Sequence, residues 1–292
     1  MLTCTIRKAV LLFTVLIFAV FAIAQNTTSS LPSPADWSRP YQPFQVAGNL
    51  YYVGTYDLAC YLITTPKGHI LINTGLESSA SLLKSNVESL GFKFSDIKIL
   101  LTTQAHYDHL GAMAAIKKMT GAPMMVDAAD SAVVADGGNS DYEFGGKGHL
   151  FEPVRVDRSL HDGDTVKLGG MNVVMLHHPG HTKGSCSYLF DVKDKQRSYR
   201  VLLVNMPTII TDRDLTGIDA YPSMTEDYKY TFGALKRLTF DLWVSSHASQ
   251  FDMHAKHKPG DKYRPAAFSD RIGYDKEVTD LQAKFDAKLR GE

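Results

Sequence analysis

Apolar residues along this chain recur at two spacings, and the alternation between those spacings sets out a fold. Period-two or β-branched runs, the mark of strands, occupy 44–54, 59–64 and 70–73, with hairpin turn chemistry at Pro66-Lys-Gly68. Strand-like runs return at 97–103, 123–126, 153–156, 165–168, 171–176, 187–192, 199–205 and 242–245, and the pair 187–192 and 199–205 reads as a hairpin. Helical spacing governs 77–90, where Leu82, Leu83, Val87 and Leu90 share a face and Gly91 stops the run. It governs 110–119, closed by Gly121, and also 228–238 and 269–289. The proline-rich stretch 32–43, carrying Trp37, reads as an arm laid over the surface, and the glycine-rich 136–148 as a loop at the rim of a site. There is no internal repeat. Strands and helices alternating in this way predict a layered α/β protein with sheets inside and helices outside.

The first 24 residues stand apart from that pattern. Arg7 and Lys8 precede an apolar run at 9–21, and Ala22-Ile-Ala24 supplies a small-x-small cleavage signal. The expectation is a signal peptide at 1–24, a single domain at 25–292 and export to the periplasm. The whole chain has 31 basic and 31 acidic residues. Losing Arg7, Lys8 and no acid leaves 29 against 31, a net charge near −2. Such a balance gives no footing for nucleic acid or an anionic membrane, and no later stretch is long enough to span a bilayer. No strong apolar stripe is left over, so a monomer is expected. Cys4 leaves with the signal, and Cys60 and Cys186, in apolar strand-like surroundings, read as two buried thiols.

The chemistry concentrates where one strand meets one helix, at Gln104-Ala-His-Tyr-Asp-His109. In extended chain, residues i and i+2 point the same way, so Gln104, His106 and Asp108 face one cavity while His109 turns aside. Nitrogen and oxygen donors that close suit a pair of metal ions, with zinc the natural candidate. Two further strand ends deliver donors of the same kind: Pro179-Gly-His181, preceded by His177 and His178, and His247 after 242–245. Strand ends are where sites assemble in layered α/β folds. His69, His149, His161, His254 and His257 read as ordinary loop histidines.

These motifs, in this order and approximate spacing, resemble the metallo-β-lactamase superfamily over almost the whole chain after residue 24. Within it they resemble subclass B3 and its GOB-type enzymes. Three features carry the narrower likeness: Gln104 opening the motif, the run His177-His-Pro-Gly-His-Thr-Lys-Gly-Ser-Cys186, and the tail 245–253 followed by 256–261. The resemblance implies an αββα sandwich of two mixed β-sheets with helices on the outer faces and a dinuclear zinc site at one edge. It implies a first metal site of Gln104, His106 and His181, and a second of Asp108, His109 and His247. It further implies hydrolysis of the cyclic amide of penicillins, cephalosporins and carbapenems by zinc-activated water, with Asp108 orienting the nucleophile or relaying its proton. Thr208 and Lys183 are the candidates to hold the substrate carboxylate, with Tyr142 and Phe251 as candidate groove walls.

Two departures from the superfamily pattern carry weight. Gln104 stands where most members have histidine, and a neutral amide oxygen is a poorer zinc donor than imidazole, so the first site is expected to be the weaker. Asn205-Met206 stands where members that cleave thioesters, lactones or phosphodiesters place a metal-bridging aspartate. Asn73, in place of a more usual aspartate, is a smaller departure. Ser81-Leu-Leu-Lys84 and Ser95-Asp-Ile-Lys98 match a serine β-lactamase spacing, but no Ser-Asp-Asn or Lys-Thr-Gly accompanies them. The rival readings are a lactonase or thioesterase of the same fold, and an exported zinc-binding protein without catalysis.

Overall fold

A computed structural model describes residues 33–292, so the expected signal segment 1–24 lies outside the described residues. Seven strands build the first sheet in chain order: β1 (Phe44–Ala47), β2 (Leu50–Tyr52), β3 (Tyr61–Thr65), β4 (Gly68–Ile72), β5 (Ile97–Leu101), β6 (Met124–Asp127) and β7 (Arg158–Leu160). The first four pair antiparallel, and β4 to β7 run parallel. The second sheet contains β8 (Thr165–Leu168), β9 (Met171–His177), β10 (Cys186–Lys193), β11 (Ser198–Val204) and β12 (Leu242–Ser245). Its strands are antiparallel except for the parallel pair β11 and β12. The helices are α1 (Ala80–Ser89), α2 (Tyr107–Leu110), α3 (Met113–Thr120), α4 (Ser131–Ala135), α5 (Met224–Arg237), α6 (Met253–Lys256) and α7 (Arg271–Leu289).

The strand sequences explain the layering. β4 and β5 are apolar on both faces, as parallel strands covered on both sides must be. Ile70, Ile72, Ile99 and Leu101 join the core shared with the second sheet, while Leu71 and Leu100 join a second cluster with Leu83 and Val87 of α1 and Met113 and Ile116 of α3. On the far side, Tyr228, Phe232 and Leu235 of α5 pack with Tyr274 and Phe285 of α7. Helix, sheet, sheet, helix is the αββα sandwich expected. Among the described residues, no helix is long and apolar enough to cross a membrane.

The differences from the sequence reading have local causes. The run 44–54 is two strands, because Gly48 turns the chain at φ +51°. The expected helix 110–119 is α3, which begins at Met113; Leu110 ends the separate turn α2, and Gly111-Ala112 lie between the two. A Cβ on Gly111 would lie 2.4 Å from the Glu77 nitrogen, so the turn at 76–77 packs directly on this backbone. The shared face of α1 is Leu83, Asn86 and Val87 rather than four aliphatic residues. Asn86 is buried because its amide donates to the carbonyl of Val53 at 2.9 Å, and Leu82 and Leu90 are half-buried. Residues 153–156 are not a strand. The ladder is made by Arg158–Leu160 instead, where Met125 to Asp127 pair with it. α5 begins four residues before the expected start. Cys60 and Cys186 are both free and buried.

Candidate metal centre

Donors reach one edge of the sandwich from the C-terminal ends of strands in both sheets. After β5 the ladder stops, and Thr102 and Thr103 lie outside it as the chain bends. The Thr103 nitrogen donates instead to Oδ1 of Asn73, at 3.0 Å, and both threonine hydroxyls lie 3.2 Å from the same oxygen. Asn73 adopts φ +63° at the end of β4, a conformation asparagine tolerates better than most residues. The asparagine noted above as a minor departure therefore ties the end of β5 to the end of β4, just before 104–109 turn across the edge. His106 precedes α2, and Asp108 and His109 lie in its single turn.

Asp108, His109 and His247 converge. Oδ2 of Asp108 lies 3.2 Å from Nε2 of His109 and 3.3 Å from Nε2 of His247, and the three donor atoms fall within 4.8 Å of one another. Nε2 of His109 is buried and has no hydrogen-bond partner. An orphaned buried nitrogen between an imidazole and a carboxylate suits a cation, and the set of two nitrogens and one oxygen is a zinc set. Burial alone would raise the Asp108 carboxyl, but His109 and His247 hold it well below the usual carboxylate range.

His106 and His181 meet beside this trio. Nδ1 of His106 is 3.2 Å from Nε2 of His181, and the rings are edge-on. Nδ1 of His181 donates to the carbonyl oxygen of Thr208 at 2.7 Å, which leaves the Nε2 lone pair for the cavity. Burial, then the neighbouring His106, bring the pKa of His181 down to about 3, so the ring is neutral. Gln104 is buried, and its Oε1 accepts from Nδ2 of Asn205 at 3.2 Å. The donor chemistry of both groups of residues fits zinc.

Carboxylates that the motif reading missed brace these donors. Oδ2 of Asp57 lies 3.1 Å from Nδ1 of His247, and it also accepts from the indole nitrogen of Trp37 at 3.1 Å. The Trp37 ring lies against His247, so the arm 33–43 reaches the site rather than merely covering surface. Oδ2 of Asp141, in the loop 136–148, stands 3.3 Å from Nε2 of His106, and Phe144 of the same loop meets that ring edge-on. Asp130 is buried between the two donor-bearing turns. It accepts from the Ala105 nitrogen (3.0 Å), the Thr182 hydroxyl (2.7 Å) and the Gly184 nitrogen (2.7 Å). A Cβ on Gly184 would sit 2.7 Å from Asp130, so glycine is required there. Lone aspartates between elements give no spacing signal, and only the three-dimensional arrangement reveals them.

Asp130→Asn puts an amide NH2 where one oxygen now accepts. We expect it to lower stability by about 1.5 kcal/mol, the cost of a buried donor left facing a donor. Urea unfolding of the metal-free protein reads this directly, and an unchanged midpoint and slope would contradict it.

The candidate substrate residues are placed unevenly. The hydroxyl of Thr208 lies 3.0 Å from Nδ1 of His181. Lys183 is half-buried, with its ammonium 5.7 Å above the Tyr221 ring. Tyr142 is buried and donates its hydroxyl to the His181 carbonyl at 3.0 Å, walling the site from behind. Phe251 does not line the groove: it is buried against Trp243 and Phe268, in the apolar core behind β12. Arg213 ties the two flanking loops, its guanidinium donating to the Tyr142 carbonyl (2.8 Å) and to Glu143 (2.9 Å).

Comparison with known proteins agrees with this architecture. The family model of the metallo-β-lactamase superfamily matches residues 55–194. The chain belongs to the metallo-β-lactamase superfamily. Within it, the solved structures it resembles include class B3 enzymes. A class B3 di-zinc metallo-β-lactamase from an Alaskan soil metagenome is 61% identical, with a TM-score of 0.88 over 89% of this chain and 99% of that one. The metallo-β-lactamase GOB-18 of Elizabethkingia meningoseptica is 52% identical, with a TM-score of 0.89 over 90% and 98% of the two chains. A hydroxyacylglutathione hydrolase of Rhodopseudomonas palustris is 29% identical over 131 residues, 45% of this chain and 42% of that protein. The chain therefore spans less than half the length of such curated relatives.

Proposed function

We propose that this protein is a zinc-dependent β-lactamase that opens the cyclic amide of penicillins, cephalosporins and carbapenems and so confers antibiotic resistance. The observation that carries the reading is the convergence of Asp108, His109 and His247 beside the facing pair His106 and His181. The likeness in identity and coverage to class B3 enzymes supports it. His109 Nε2, His247 Nε2 and the Asp108 carboxylate would hold one zinc, and His106 Nδ1, His181 Nε2 and Gln104 Oε1 the other. Zinc bound there would supply the Lewis acidity that lowers the pKa of water from about 16 toward about 7.

The chain's own groups do the rest. Asp108 orients the attacking water and takes its proton at the carboxylate. His181, pinned by the Thr208 carbonyl, and His247, pinned by Asp57, hold their Nε2 lone pairs on the cavity. Thr208 and Lys183 receive the substrate's carboxylate, Lys183 by charge and Thr208 through its hydroxyl. Gln104, a neutral oxygen donor, makes the first site the weaker, filled at higher zinc. Residues 1–24 direct export to the periplasm, where the domain 25–292 works as a monomer on small molecules, with neither nucleic acid nor membrane as partner. A thioesterase reading finds less support, because Met206 is buried and Asn205 spends its amide on Gln104, so neither brings a carboxylate to the site.

The test is carbapenem hydrolysis by the purified protein, with zinc per chain measured on the same sample. Turnover lost to a chelator and restored by zinc is expected. No turnover at two zincs per chain would overturn the reading in favour of another hydrolase of this fold.

A further inference from the structure

Gln104 does not stand alone in the interior. Its Oε1 accepts from the Asn205 amide at 3.2 Å, and both residues are 3% exposed. Asn205, just past β11, is anchored in turn: its backbone nitrogen donates to Oγ of Ser187 at 3.1 Å. Ser187 is fully buried on β10, and its hydroxyl lies 2.8 Å from Nδ1 of His178. Burial lowers the pKa of His178 to about 4, so this ring is neutral beside Ser187. A continuous buried string of polar groups therefore runs from His178 through Ser187 and Asn205 to Gln104.

The end of a glutamine side chain is nearly symmetric in shape and opposite in chemistry. Its oxygen carries two lone pairs, while its nitrogen is a pure donor with nothing to offer a cation. Which of the two faces the cavity is settled by the neighbours. A donor at 205 takes one lone pair of Oε1 and leaves the other free. An acceptor at 205 would draw Nε2 and turn the carbonyl away.

We propose that Asn205 is a positioning residue for the first metal site, its side-chain N–H holding Gln104 in the orientation that presents the carbonyl oxygen to zinc. Asparagine at 205 is thus the complement of glutamine at 104, as a hydrogen-bonded carboxylate or carbonyl is the complement of a zinc-ligating imidazole. The proposal rests on reading Gln104 as a donor to that site, but not on what the protein hydrolyses.

The experiment is a zinc titration of the protein against a chromophoric chelator, without substrate. Asn205→Leu keeps the branched shape and the number of heavy atoms and removes the donor, and it is measured alone and in combination with Gln104→His. The zinc equivalent whose affinity Gln104→His changes is the first site. Asn205→Leu is expected to weaken that equivalent roughly tenfold, the scale for losing a group that orients a ligand, and to leave the other unchanged. In the Gln104→His background the same substitution should change neither. An unaltered first-site affinity in Asn205→Leu would overturn the proposal. So would an equal loss in both backgrounds, which would make Asn205 a general packing residue. If Gln104→His alters neither equivalent, the underlying reading of Gln104 fails, and the proposal with it. Should Asn205→Leu lose cooperative unfolding, Asn205→Ala carries the same comparison.

Discussion

Asp108→Asn is expected to lower carbapenem kcat/KM by roughly a thousandfold, the middle of the range for removing a positioned acid–base group. The substitution keeps the shape of the side chain and removes its charge. Among the described residues, Asp108 is the carboxylate within 3.3 Å of both His109 and His247, and it lies in the single helical turn that also carries His109. Those imidazoles keep it ionised against its burial. An amide there can neither accept the proton of a water nor offset the charge of a cation. Zinc per chain measured on the same sample separates lost chemistry from lost metal. Retention of a tenth or more of wild-type kcat/KM at full zinc would show that the proton goes elsewhere.

Asp57→Ala should weaken zinc at the Asp108 site by roughly 10- to 100-fold, as removal of a carboxylate behind a ligating histidine does. The effect carries a pH signature. In the metal-free protein, burial lowers the pKa of His247, but its hydrogen bonds to Asp108 and Asp57 outweigh this and raise it to about 9. The proton on Nε2 is bound below that pH and must leave before the nitrogen can ligate. Zinc affinity therefore falls as pH falls below about 9, by up to ~tenfold per unit for one released proton. Without Asp57 one of the two raising partners is gone, so the onset of this fall moves to lower pH. Zinc competition measured from pH 6 to 9 reads both effects. A weakened affinity with an unmoved pH profile would mean that Asp57 acts only by packing the Trp37 arm.

The sequence carried the parts of this molecule that periodicity and local motifs encode. Strands such as Met171–His177 and Cys186–Lys193 are apolar at alternate positions for a simple physical reason, since each presents one face to the core and one toward solvent or a helix. Gln104 to His109, His181 and His247 were legible because their spacing departs from anything a core requires. The supports were not. Asp57, Asp130 and Asp141 look in sequence like turn residues, and only long-range packing sets Asp130 between Ala105 and Gly184. The close approach of the chain at Gly111 was hidden for the same reason, since its partner is a turn more than thirty residues earlier. Phe251 was misread because its sequence neighbours are polar, while its actual neighbours are Trp243 and Phe268.

The donors come from opposite halves of the sandwich: 104–109 follow a strand of the seven-stranded sheet, whereas His181 and His247 follow strands of the five-stranded one. A half-folded chain therefore presents only part of this donor set, and an ion that needs all of it would be captured only after the two sheets have docked. Once bound, an ion held by Asp108 and His109 on one side and His247 on the other is a rivet across the seam between them. Zinc loading should thus resist shear of one sheet over the other, and depletion should loosen that seam before either sheet frays.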